Sequence, residues 1–254
     1  MEPSTAAPPK LLNVALFGAH ADSLLPELAK HDNLRLTETE PDVVVCYGGD
    51  GTLLAAELHF PGVPKAPILN SRRGHRCIPQ PPHEVIAGLA NGGLFANSYT
   101  KLECRLELKG QENPKPLLAL NEFSVHMGRL NSAVRWQLWI NEDPYEDGLE
   151  ILGDGFLVCT PFGSTAYFSK ITRGLFTKGI GVAFKATTEH TDHLVLPGDV
   201  GLRFRITRGP AVLAWDSATS FYTLNDGDNI FIQKSPQGAV ILTCGPVKRL
   251  DEPF

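Results

Sequence analysis

The sequence predicts an α/β domain followed by a β-rich one, and three observations carry that prediction. Val43-Val44-Val45-Cys46-Tyr47 is a continuous, largely β-branched run of the kind found in strands buried on both faces. It stops at Gly48-Gly49, and Thr52–Leu58 resumes with helical character, so strand, glycine turn and helix make an α/β layout. After about residue 96 the texture changes to short, partly alternating segments separated by turn residues.

Taken in order, residues 1–10 are rich in Pro, Ala and Ser and read as a disordered tail. Leu11–Gly18 reads as a first strand, and Asp22 as the cap of a helix carrying Leu24, Leu25, Leu28 and Ala29 on one face. A signal peptide is the competing reading of Lys10–Ala21. Glu2 in its n-region, Asn13 inside the apolar run and the shortness of that run favour the strand. Beyond the Val43–Tyr47 strand, Pro61–Pro82 is proline-rich and holds one short strand, Ala66–Leu69, and His83–Leu94 reads as the last helix of this half. The β segments then expected are Leu102–Leu108, Leu117–Val125, Ala133–Ile140, Phe156–Cys159, Val200–Ile206, Ala211–Trp215, Asn229–Gln233 and Ala239–Thr243. Domain limits follow: 11–96 as the α/β domain, 97–235 as the β-rich one, and 236–254 as a C-terminal segment able to pack back on the first.

Bulk properties remove several function classes. With 43% hydrophobic and 20% charged residues, the chain can build an ordinary folded core. A net charge of −5 and a pI near 5.9 provide no basic field for nucleic acid or an anionic membrane, although phosphates can still be held locally by backbone N–H groups. The five cysteines, Cys46, Cys77, Cys104, Cys159 and Cys244, are scattered without a Cys-x-x-Cys pair, which suggests reduced thiols rather than a disulfide frame or zinc site. No stretch is long and apolar enough to cross a membrane as a helix.

Three segments carry chemistry. In Gly48-Gly49-Asp50-Gly51-Thr52, glycines let backbone N–H groups approach phosphate oxygens, and the following helix offers its positive end to the same anion. Asp50 would repel a phosphate. It fits if it takes a proton from an attacking hydroxyl or holds a bridging metal ion. A tight strand-to-helix turn with Asp50 bonded locally explains the five residues equally well. Gly153–Tyr167 is a turn, a short strand and a small-residue loop, with hydroxyls at Thr160, Ser164, Thr165 and Tyr167 and room for a flat ring or sugar at Gly163 and Ala166. Asn121-Glu122 pairs an amide with a carboxylate, matching a ribose or an adenine edge.

The three segments together, in this order and spacing, resemble the NAD kinase family, whose signatures are a GGDGT loop, an Asn-Glu or Asn-Asp step and a G-D-G-x-x-x-x-T-P-x-G-S-T-A-Y stretch. The resemblance implies a Rossmann-like N-terminal domain carrying the GGDGT loop and an all-β C-terminal domain. It implies ATP- or polyphosphate-dependent phosphorylation of NAD to NADP with Mg²⁺, in a cytoplasmic homodimer or homotetramer, with the mitochondrial matrix as the alternative compartment. Asp50 becomes the catalytic carboxylate facing the adenosine ribose 2′-hydroxyl. Gly48, Gly49, Gly51 and Thr52 become donor-phosphate contacts, and no protein ligand to the metal is assigned. Beside the resemblance, Arg72, Arg73 and Arg76 form a local basic cluster that could meet the donor phosphates, a solvated loop being the equal reading. Asn121, Glu122, Asp154, Thr165, Ala166 and Tyr167 become dinucleotide contacts, Asp154 reaching a neighbouring subunit's site, and His190 approaches the ligand.

Departures from the family pattern are local. Asn70-Ser71-Arg72-Arg73-Gly74-His75-Arg76-Cys77 stands where Asn-x-Gly-x-Leu-Gly-Phe is usual, and its Gly-His-x-Cys-x-Pro run is similar to a branch that includes mitochondrial-type enzymes. Phe168-Ser169-Lys170-Ile171-Thr172-Arg173-Gly174 replaces a run of small residues, and Asp216-Ser217 replaces Asp-Gly. These differences keep a non-catalytic dinucleotide sensor as the alternative. A lipid or sphingoid kinase sharing the GGDGT loop ranks lower, because it would lack Thr160–Tyr167.

Overall fold

The computed structural model describes residues 10–72 and 74–245. It divides the chain into two compact units: the residues up to Ser98 together with those from Ala239 onward, and Tyr99–Gly238.

The first unit opens with β1 (Leu12–Phe17), a turn of 3₁₀ helix at Ala21–Leu24, the short α1 (Leu25–Leu28), β2 (Leu34–Leu36) and β3 (Val43–Gly48). It continues through α2 (Asp50–His59), β4 (Lys65–Leu69), α3 (Pro82–Ala90) and β5 (Phe95–Tyr99). Strands β1, β2, β3 and β4 pair in parallel, which accounts for the continuous apolar run of β3: Val43, Val44, Val45 and Cys46 are all buried because the sheet is covered on both faces. On one face Val14, Val43, Val45, Ala66 and Ile68 pack against Leu24, Leu28, Val85, Ile86 and Leu89. Each such side chain contributes about 1.5–3 kcal/mol when removed from water.

Two local expectations change here. Asp22 does not cap a helix; it lies inside the 3₁₀ turn, whose preceding residue His20 makes no side-chain cap, and the α-helical part spans only four residues. The helix expected over His83–Leu94 stops at Ala90, because Asn91-Gly92-Gly93 turns the chain. Gly93 N–H returns to the Gly88 carbonyl (2.8 Å), and Asn33 Nδ2 donates to the Ala90 carbonyl (2.8 Å).

The second unit contains β6 (Leu102–Glu107), β7 (Leu117–Ala119), β8 (Glu122–Met127), β9 (Val134–Ile140), β10 (Asp143–Pro144), β11 (Ile151–Gly153) and β12 (Gly155–Cys159). After a helical turn at Gly163–Thr165 and α4 (Tyr167–Thr172) come β13 (Ile180–Lys185), β14 (His193–Leu196), β15 (Leu202–Arg208), β16 (Ala211–Trp215), β17 (Tyr222–Leu224) and β18 (Asn229–Lys234). One sheet runs β10-β9-β15-β18-β6-β7 with β11 on β9, and the other β14-β13-β12-β8-β16-β17, with antiparallel pairing throughout. Rings from both sheets form the core: Trp136 lies 5.3 Å from Phe156, and Phe156 stacks on Phe204 at 4.0 Å. Period-two alternation buries Val134, Trp136 and Leu138 and leaves Trp139 on the other face, where the Arg203 guanidinium stacks at 3.9 Å. The run Leu117–Val125 is not one strand but two, broken at Leu120-Asn121, and the small-residue loop after Pro161 winds into helical turns.

The chain then returns to the first unit as β19 (Ala239–Thr243), parallel to β4, and completes the order β2-β1-β3-β4-β19-β5.

The first unit contains a buried ion pair. Glu57 of α2 meets Lys65 of β4; Lys65 Nζ also donates to the Phe60 carbonyl (2.5 Å), and Glu57 Oε1 accepts from Gly62 N–H (3.1 Å). Removing one partner strands a charge in an apolar interior. Glu57→Ala or Lys65→Ala is therefore expected to destabilise the protein by about 3–5 kcal/mol, and Glu57→Leu/Lys65→Met together by clearly less, measured by denaturant unfolding.

Candidate functional site

The GGDGT segment is the link between the end of β3 and the start of α2. Gly48 must lack a side chain: a Cβ there would lie 2.2 Å from Thr52 Oγ1. Gly49, extended at φ −114° and ψ −168°, precedes the helix, and its carbonyl accepts from Thr52 and Leu53 N–H. Asp50, Gly51 and Thr52 thus form the first turn, where helical N–H groups lack carbonyl partners within the helix and the dipole is positive. Asp50 is half-buried, and its carboxylate is fixed from outside the helix. His75 N–H donates to Oδ2 (3.0 Å), Arg76 N–H to Oδ1 (2.9 Å), and the Cys77 thiol lies 3.7 Å from Oδ1. Burial, and then the neighbouring carboxylate, push the Cys77 thiol up to about 12, so it stays protonated and acts as a donor. The Gly-His-x-Cys stretch that departs from the family pattern is therefore the segment that holds Asp50. Arg72 is exposed on this loop, and Arg73 lies outside the described residues.

In the second unit, Asp216 organises the Asn121-Glu122 step. Its Oδ2 accepts from Leu120 N–H (2.7 Å), and its Oδ1 from Asn121 (2.8 Å) and Glu122 N–H (3.1 Å). Thr160 ties the same step to the loop after β12: its N–H donates to the Asn121 carbonyl (2.9 Å), its hydroxyl donates to the Leu120 carbonyl (2.6 Å), and Oγ1 accepts from Gly163 N–H (3.1 Å). Gly163 passes so close that a Cβ would lie 2.5 Å from the Asn121 carbonyl oxygen. Thr165 and Ala166 follow, and Tyr167, 38% exposed, opens α4. Asp154 sits between β11 and β12, its N–H on the Lys185 carbonyl (2.8 Å) and its carbonyl accepting from Met127 N–H (2.9 Å).

Ser124, His126 and Lys185, which sequence reading did not select, complete this arrangement. Glu122, Ser124 and His126 alternate along β8 and share one face, and Lys185 of β13 reaches them across Gly155, which pairs with both His126 and Lys185. Lys185 Nζ donates to Ser124 Oγ (2.8 Å), lies 3.2 and 3.3 Å from the two ring nitrogens of His126, and stands 5.2 Å from the Tyr167 ring centre. Burial pulls the Lys185 ammonium down to about 7 against the attraction of Glu122 and Asp154. Burial, with Asp216 adding to it, pushes Glu122 up to about 8, and its Oε2 has no hydrogen-bond partner among the described residues. His126 is lowered by burial and by Lys185. The alternation Glu122-x-Ser124-x-His126 was visible in sequence; the register that adds Lys185 was not. His190 is exposed, and Asp192 bonds His193 Nδ1 (2.5 Å). Among the described residues no group of three His, Cys, Asp or Glu side chains is placed to hold a metal ion.

The chain combines an α/β unit, whose third strand ends in a glycine-rich turn leading into a helix, with a second, antiparallel β unit. No family model matches the chain. NAD kinase of Clostridium botulinum (strain Eklund 17B) is 27% identical over 212 residues, covering 82% of this chain and 68% of that protein. NAD kinase of Levilactobacillus brevis is 26% identical over 199 residues, covering 76% and 70%. Among solved structures, yeast NADH kinase complexed with NADH superposes with a TM-score of 0.81 at 16% identity, over 95% of this chain and 85% of that one. An NAD kinase from Archaeoglobus fulgidus in complex with ATP gives 0.71 at 19% identity, over 90% and 92%. The two solved structures share its fold, and the sequence relatives that this chain resembles over most of its length are NAD kinases.

Two outcomes follow from the second unit's polar groups. Asp216→Ala leaves three consecutive N–H groups without their acceptor and is expected to cost about 3 kcal/mol or more in denaturant unfolding. The buried pair makes stability depend on pH in opposite senses. Glu122, raised from 4.5 to about 8, contributes stability below pH 4.5 that is lost as pH rises to about 8. Lys185, lowered from 10.5 to about 7, contributes stability above pH 10.5 that is lost as pH falls to about 7. Lys185→Met is therefore expected to gain stability relative to the parent at pH 6 more than at pH 10, with a slope of at most about 1.4 kcal/mol per pH unit.

Proposed function

We propose that this chain is an NAD kinase, transferring the terminal phosphoryl group of ATP, or of polyphosphate, to the adenosine ribose 2′-hydroxyl of NAD to give NADP. The observation that carries the reading is the placement of Asp50: a carboxylate at the first turn of α2, held in orientation by two backbone N–H groups of another loop. Three donors on a carboxylate with about four lone-pair directions leave room for a substrate hydroxyl. Asp50 takes the 2′-hydroxyl proton as that oxygen bonds to the γ-phosphorus, and the bond to the β–γ bridging oxygen breaks to release ADP. The N–H groups of Gly49 and Gly51 and the helix dipole meet the phosphate charge that shifts during transfer, and Thr52 and Arg72 add donors beside them. Arg73 belongs to the same donor-binding proposal.

Asn121, Glu122, Asp154, Thr165, Ala166 and Tyr167 are proposed to bind the dinucleotide. Three observations support this: the exposed Tyr167 ring suits stacking, Glu122 Oε2 lacks a donor, and Gly163 lets the loop lie flat against Asn121. The yeast neighbour holds NADH and the Archaeoglobus one ATP, which are the two classes of substrate this proposal needs. Magnesium enters with the triphosphate as part of the substrate. Isolated Asp50 suits that arrangement, since Mg²⁺ keeps water and phosphate oxygens and needs only one or two carboxylates. We further propose a cytoplasmic homo-oligomer; no helix among the described residues is long and apolar enough to cross a membrane.

The test is NADP formation from NAD, ATP and Mg²⁺, read through an NADP-specific dehydrogenase. Asp50→Asn is expected to lower kcat by about 10²–10⁴-fold with the circular dichroism spectrum unchanged. Full turnover in that variant overturns the assigned role. No NADP from folded protein with either donor transfers the reading to a dinucleotide sensor.

A further inference from the structure

One face of the β14-β13-β12-β8-β16-β17 sheet carries a polar row that neither the glycine turn nor Asp50 explains. Glu122, Ser124 and His126 lie on it from β8, and Lys185 joins them from β13 across Gly155. Lys185 is 7% exposed, so most of its hydration has been exchanged for Ser124 Oγ, the His126 ring and the Tyr167 ring. A buried lysine is costly, and this one meets a hydroxyl, an imidazole and an aromatic face rather than a direct carboxylate bond. The row ends at Tyr167, an exposed residue whose ring stacks at 16° on His126 (6.2 Å between centres).

We propose that Lys185 lets this chain distinguish reduced from oxidised dinucleotide, its ammonium disfavouring the cationic nicotinamide ring of NAD relative to the neutral ring of NADH. This rests on the dinucleotide reading above and deepens it by assigning a substrate form. A flat ring laid on Tyr167 shares that side chain with a cation on its π-face. A second positive charge there is repelled, and a neutral ring is not. The ring's carboxamide supplies what the row lacks, an N–H donor for Glu122 Oε2, and its carbonyl can accept from the Lys185 and Ser124 end. The charged and titratable groups facing Lys185 are Glu122 and His126 from β8, Asp154 ahead of β12 and Tyr167 of α4. Glu122 and then Asp154 are the carboxylates whose attraction Lys185 feels.

NAD and NADH share the adenosine, both riboses and the pyrophosphate, so the ratio of their affinities cancels any general damage to the site. Kd for each is measured by calorimetry at constant salt and pH 6, below the point to which burial lowers Lys185, for the parent protein, Lys185→Gln and Lys185→Arg, with melting curves to confirm folding. The parent is expected to bind NADH more tightly. Lys185→Gln, which can still bond Ser124, is expected to shift the ratio about tenfold toward NAD, while Lys185→Arg retains the parent preference. An unchanged ratio in Lys185→Gln, with both affinities moving together, overturns the proposal. NADP formation by a parent whose Lys185→Gln ratio does not shift refutes the lysine's role and keeps the kinase. A shifted ratio without turnover keeps the lysine's role and refutes the kinase, and failure of the parent to bind either dinucleotide overturns both.

Discussion

Asp216 accepts three consecutive backbone N–H groups on one carboxylate, and the arrangement of the second unit's candidate site depends on that contact. Without it, Leu120-Asn121-Glu122 would be a strand interruption with three donors seeking partners in a largely buried place. With it, β7 ends, β8 begins in a fixed register, and the Asn121 carbonyl is left pointing at Thr160 and the close approach of Gly163. The loop carrying Thr165, Ala166 and Tyr167 is therefore attached to a point that a residue nearly a hundred positions away has already fixed. Asp216 itself adopts φ 42°, a local strain of the sort tolerated where surrounding contacts over-determine the backbone.

The first unit solves a related problem with different means. A carboxylate at the positive end of α2 is favourable, but a freely rotating Asp50 could fold back onto its own N–H groups. The His75 and Arg76 N–H groups come from the loop after β4 and hold both of its oxygens. Parallel pairing of β3 and β4 puts the Gly48 turn and the residues following Leu69 at the same end of the sheet, and the Asn70 N–H to Gly48 carbonyl bond (2.7 Å) locks that alignment. The loop whose residues depart most from the family pattern thus has a definite mechanical task. Its backbone rather than its side chains performs most of it.

Polar groups are treated unevenly between the two units. Glu57 and Lys65 are buried as a direct pair with added backbone bonds, an arrangement that satisfies both charges and needs no ligand. Glu122 and Lys185 are also withdrawn from water, yet one oxygen of Glu122 has no partner among the described residues and Lys185 bonds only neutral groups. The contrast separates a structural buried pair from a set of groups whose hydrogen-bonding capacity is left for something else.

The sequence alone determined the α/β first unit and the β-rich second one, because strand periodicity, glycine turns and the buried Val43–Cys46 run are local properties of the chain. It also picked out the GGDGT turn as a strand-to-helix junction, since only glycine tolerates the contact of residue 48 with Thr52. It extended the third helix too far, past the local Asn91-Gly92-Gly93 turn that ends it, and it merged β7 with β8 because the Asp216 clamp that separates them lies 95 residues from Asn121. Tertiary structure alone decided what holds Asp50 and what faces Glu122. His75 and Arg76 come 25 and 26 residues after Asp50, and Lys185 comes 61 after Ser124. Such neighbours are created by strand register, and register is set by the burial of whole faces rather than by any motif.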